Sequence, residues 1–122
     1  MKRDLDLIRY ILREAESKSA SGTSHFEIAP PEGTSLVTLL GHVDLMIDAG
    51  FVRGAYSDVS TRRCFVERLT WAGHEFLDAA GDDSVWAKAK SAVITQTGAW
   101  TVSLLLEYLK QQGRERLGIP LP

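Results

Sequence analysis

At 122 residues, with 44% hydrophobic and 25% charged residues, the chain can fill one hydrophobic core and is excluded from wholesale disorder. Its formal net charge is -2, so no global excess of positive charge advertises a polyanionic partner. Cys64 is the only cysteine, which excludes an internal disulfide and fits a reducing, cytoplasmic setting. Apolar runs are too short to span a bilayer, and Met1-Lys2-Arg3-Asp4-Leu5-Asp6 lacks the apolar core of a signal peptide.

Leu5, Ile8, Ile11, Leu12 and Ala15 recur at three- and four-residue steps, which predicts an amphipathic helix from Asp4 to about Lys18. The Ser/Gly/Thr-rich stretch 18–24 reads as a loop. His25 to Ala29 alternates like a short strand, and Pro30-Pro31 ends it because neither proline donates to a ladder. A second helix is expected from Thr34 or Ser35 to Ala49, with an apolar stripe of Leu36, Leu39, Leu40, Val43, Met46 and Ile47, capped by Gly50.

Phe51–Tyr56 and Cys64–Leu69 then read as hairpin strands around a polar loop. Thr70 is a plausible N-cap for a third helix bearing Phe76, Leu77 and Ala80, stopped by Gly81. Asp82 or Asp83 caps a fourth helix holding Val85, Trp86, Ala89 and Val93. A fifth, with Val102, Leu105, Leu106 and Leu109, is expected to end at Gly113, and the tail Gly118-Ile119-Pro120-Leu121-Pro122 to be extended. A helix ending in glycine, a hairpin and a helix starting at its second strand make the skeleton of a winged helix. The expectation is an α+β, mostly helical single domain over 1–122. Its core covers about 4–80, with a small antiparallel hairpin wing, and two further C-terminal helices follow over about 83–113.

Three segments resemble the family called domain of unknown function 2513, small bacterial and phage proteins. They are Met1 to Arg9, Gly41-His42-Val43-Asp44-Leu45-Met46-Ile47-Asp48-Ala49-Gly50-Phe51, and Arg68 to Ala80 continuing through Asp82 to Lys88. The resemblance implies a phage or prophage origin and brings no activity and no catalytic residues. More loosely, Leu69-Thr70-Trp71-Ala72-Gly73 is similar to the Leu-Thr-x-x-Gly that opens the helix after the wing in winged-helix regulators. Only sixteen residues, 19 to 34, separate the first two helices. The separate supporting helix of those regulators has little room there, which implies an abbreviated winged helix.

Winged helices usually read DNA with the helix before the wing, using Arg, Lys, Asn or Gln. Residues 35–49 contain none of these and carry a formal charge of -2 from Asp44 and Asp48, one turn apart. The wing differs: Arg53, Arg62, Arg63 and Arg68 against Asp58 and Glu67 give 4 - 2 = +2. Two expectations follow. In the first, a DNA-binding transcription regulator contacts duplex DNA through Arg53, Arg62 and Arg63, with Lys2 and Arg3 near the N-terminus. In the second, a protein-interaction module binds or inhibits a host or phage protein, without contacting DNA, through Asp44 and Asp48 or through the wing. The C-terminal helix, with Leu105, Tyr108 and Leu109, is a candidate partner surface for a homodimer.

Catalysis finds little footing. His74 and Asp78 have ligand spacing on one helix but lack the convergent partners a metal needs. Cys64 reads as a packed small hydrophobe, and His42 and His25 as satisfied core or surface residues. No enzyme, cofactor or metal is expected. Trp71, Trp86 and Trp100, near the starts of three successive helices, read as filler between the wing and the C-terminal helices.

Overall fold

The computed structural model describes residues 3–19, 25–54, 56–58, 60, 63–97 and 102–117. Contacts divide the chain into two compact units, Met1–Glu75 and Phe76–Pro122. The fold is α+β and mostly helical, in the order expected for an abbreviated winged helix. The elements of the first unit are α1 (Leu5–Ser19), β1 (Phe26–Glu27), α2 (Leu36–Asp48), β2 (Val52–Arg53), β3 (Tyr56–Asp58), β4 (Arg63–Val66) and β5 (Arg68–Leu69). Then come α3 (Trp71–Ala80), α4 (Asp83–Thr97) and α5 (Val102–Leu117).

The α1 stripe is buried as its periodicity requires: Leu5, Ile8, Ile11, Leu12 and Ala15 are all in the core. Asp4 caps its start, its carboxylate accepting from the N–H groups of Asp6 and Leu7 at 3.0 and 3.2 Å. The helix packs against α2, β1 and β5. Side chains near its middle and end tie down the strand that follows: the Tyr10 hydroxyl donates to the Ala29 carbonyl at 2.7 Å, and the Lys18 ammonium to that of Glu27.

Ser35 is the N-cap of α2, its hydroxyl accepting from Thr38 N at 3.1 Å. The other end is a Schellman turn. Gly50 N–H bonds to the Ile47 carbonyl at 3.0 Å, and Phe51 N–H to that of Met46 at 2.9 Å. Gly50 sits at φ +81, the left-handed conformation that favours glycine. Leu39, Leu40, Val43 and Met46 face the core.

The expected hairpin forms, but as two ladders. β2 pairs with β5, while β3 pairs with β4, and β1 joins the other edge of β4 to give the order β1-β4-β3. All pairings are antiparallel. The break falls at Gly54, whose φ is +62, and Glu67, whose N–H turns to the Arg53 carbonyl at 3.1 Å. Cys64 and Val66 alternate inward along β4.

In the second unit α4 and α5 pack on each other. Asp82 caps α4 through Val85 N at 2.9 Å. Trp86 is buried, with its ring centroid 6.2 Å from that of Phe76 at 57°. Contrary to expectation, α5 does not stop at Gly113 but runs to Leu117, since one glycine costs a helix only about 1 kcal/mol. The extended tail expected over 118–122 lies outside the described residues. Among the described residues, no helix is long and apolar enough to cross a membrane.

Candidate functional site

The start of α3 is built by Thr70 and Gly73. Thr70 N–H donates to the Phe51 carbonyl at 3.0 Å, and its hydroxyl donates to the Gly50 carbonyl while accepting from Gly73 N–H at 3.1 Å. One side chain thus caps α3 and ties it to the turn that ends α2. At Gly73 a Cβ would overlap the Phe51 carbonyl oxygen, so only glycine lets the helix come this close. The Thr-x-x-Gly spacing has a mechanical reason.

That lock decides where Trp71 points. At 3.6 residues per turn, Trp71 lies about 200° around the helix axis from Gly73, so it projects away from the packed side. It is 81% exposed, with its indole N–H bonded to Glu75 Oε1 at 3.0 Å. The expectation that Trp71 fills a junction is therefore wrong, whereas Trp86 is a core residue at 3% exposure. Trp100 lies outside the described residues.

Trp71 borders an open groove of about 730 Å³ together with Ile47, Arg53, Gly54, Glu67 and Arg68. Ile47 sits near the end of α2, at the edge of its buried stripe between Leu40 and Val43 around the helix. The outer face of α2 exposes Val37, at 68%, Leu45, and both carboxylates, Asp44 and Asp48. Large apolar side chains and acids therefore share one surface, with no cation on the helix.

The other expected site residues fare differently. Lys2 and Arg62 lie outside the described residues, and Arg3 and Arg53 are exposed. Arg63 is already engaged: its Nε bonds to Glu27 Oε2 at 3.0 Å, and its guanidinium lies 5.3 Å from the centre of the Phe65 ring. Leu105 and Leu109, expected on a partner surface, are instead buried, which leaves only the half-exposed Tyr108 on that face.

Polar groups elsewhere in the first unit have structural roles. His42 is fully buried, its Nε2 accepting from Asp4 N–H at 2.8 Å, so Nδ1 carries the proton and donates to the Thr38 carbonyl at 2.8 Å. Burial, reinforced by Asp44 and Glu27, pushes the Cys64 thiol up to about 11. This buried sulfur stays protonated at neutral pH and is no nucleophile. His74 faces Glu16 of α1 at 3.8 Å. Among the described residues no cluster of three or more His, Cys, Asp or Glu could hold a metal ion.

No solved structure matches the chain significantly. An uncharacterized protein of Haemophilus influenzae is 33% identical over 114 residues, covering 91% of each chain. The family model described as hypothetical protein (DUF2513) matches residues 2–99, so the chain belongs to the DUF2513 family, as its Arg68–Ala80 segment led one to expect.

Proposed function

We propose that this protein is a non-catalytic binding module that engages another protein through the outer face of α2 and the neighbouring Trp71. The observation that carries this reading is the composition of that surface. Val37 and Leu45 stand in water on the face of Asp44 and Asp48, and Ile47 and Trp71 border the groove at the end of the same helix. Exposed large apolar groups in one patch mark interaction surfaces, and tryptophan is among the residues most enriched at binding hot spots. Two carboxylates on the same helix face would repel the phosphates of a duplex. If the chain is of phage or prophage origin, a host protein is the natural target. Dimerisation through α5 is not part of the proposal, because Leu105 and Leu109 are buried.

A second reading, a DNA-binding regulator acting through the wing, is favoured by exposed Arg53 and Arg68 and by the usual employment of winged helices. One set of experiments separates the two. On the first reading, a partner retained by the wild-type chain is lost with Asp44→Lys, and random duplex DNA is not bound at low salt. On the second, duplex affinity falls steeply with salt, and Arg53→Ala with Arg62→Ala and Arg63→Ala weakens it across sequences. Salt-dependent DNA binding together with a pull-down unaffected by Asp44→Lys would overturn the first reading.

A further inference from the structure

Arg53 and Arg68 are directly opposite each other in the β2–β5 ladder. Side chains of an antiparallel pair share a face of the sheet, with Cβ atoms roughly 4.5–5.5 Å apart. Their neighbours in the ladder, Val52 and Leu69, form the alternate pair and are both buried. Both arginines are therefore on the outward face, and both are exposed. Like charges directly opposite destabilise a sheet unless something bridges them.

Among the described residues no acidic side chain does so. Neither guanidinium has a carboxylate partner among the described residues, and Arg68 donates only to the Leu69 carbonyl, at 3.2 Å. Glu67 is close in sequence, but its side chain lies over Gly54, in the space a Cβ there would occupy. The pair opens into the groove that Ile47 and Trp71 border.

We infer that this groove binds a peptide segment of a partner protein in which an Asp or Glu lies beside a large apolar side chain. The carboxylate bridges Arg53 and Arg68, and the apolar side chain packs on Trp71 and Ile47. A guanidinium fork matches a carboxylate in two parallel hydrogen bonds, so two forks on one face make a strong single-anion site. A nucleic acid suits it less well. A duplex brings a run of phosphates, while one peptide carboxylate presents the single charge that two facing guanidinium groups can share. The inference rests on the protein-binding reading and gives its partner a chemistry.

The test uses the full chain and a random peptide library displayed on phage. The expected result is enrichment of peptides that pair Asp or Glu with Leu, Phe or Trp. Arg53→Gln and Arg68→Gln should each weaken a selected peptide at least tenfold, and Arg53→Lys, which keeps the charge without the fork, by less. Melting temperatures should hold or rise in the glutamine variants, because removing one of two like charges relieves repulsion. Enriched peptides without an acidic residue, or affinities unchanged by both glutamine variants, would overturn the inference. So would a marked fall in melting temperature, which would make the pair structural. If Asp44→Lys releases a captured partner and the arginine variants do not, the groove is wrong and the protein-binding reading stands. If neither matters, both fail.

Discussion

The two faces of α2 obey different rules. On the inner face Leu39, Leu40, Val43 and Met46 are buried, and the one buried polar group, His42, has a partner for each ring nitrogen. On the outer face Val37 and Leu45 stay in water on the side of Asp44 and Asp48, carboxylates with no hydrogen bond among the described residues. A helix needs only its inner face to fold. The proposed protein-binding role would account for the outer apolar residues, and the contrast can be broken by measuring what each face costs to alter.

The largest expected effect is on the inner side. His42→Ala strands the Asp4 N–H and opens a void, so urea unfolding should show a loss of about 3 kcal/mol. Gly73→Ala drives a methyl group into the Phe51 carbonyl and should cost about 2 kcal/mol by the same measurement. A cost near zero for either would mean that the lock is looser than its hydrogen bonds imply.

Cys64 adds a pH dependence. Folding raises its thiol from 9.0 to about 11, so the folded state holds the proton more tightly than the unfolded one. The resulting stability is fully present below about pH 9 and lost as pH rises towards 11. At pH 10 the wild-type chain should have lost about 1 kcal/mol more than Cys64→Ala has, relative to pH 8. Parallel stability curves for the two proteins would contradict this. The smallest effects belong to the outer face: Val37→Ser, Leu45→Ser and Trp71→Ala should each change stability by less than about 0.5 kcal/mol. A cost of 2 kcal/mol or more there would mean that the face supports the fold after all.

Much of the fold was legible in the sequence because its signals are local. Ser35, Gly50, Thr70 and Asp82 mark helix boundaries through bonds made within four residues, and the α1 stripe follows the helical period. The hairpin break was less visible, since it depends on Gly54 yielding its Cβ space to Glu67 on the opposite strand. The acidic outer face of α2 could be read directly.

Trp71 could not be placed by the rule that large aromatics are buried, although its position two residues before Gly73 held the clue. The misplacement of Leu105 and Leu109 has the opposite cause: a broad apolar stripe looks like an interface until its neighbours are known. The engagement of Arg63 by Glu27 is not visible in local spacing, because the two lie 36 residues apart. Side-chain pairing across strands is settled by register, and the Arg53–Arg68 pair comes from the same source.

That the outer face of α2 meets protein, as proposed, is open to direct test. The most direct test places a photo-crosslinking side chain at Val37 and irradiates the full chain in a lysate of the organism that encodes it. The account predicts a discrete protein adduct that disappears when Asp44→Lys or Trp71→Ala is added, with the melting temperature unchanged. A nucleic-acid adduct, or a protein adduct indifferent to both substitutions, would contradict it.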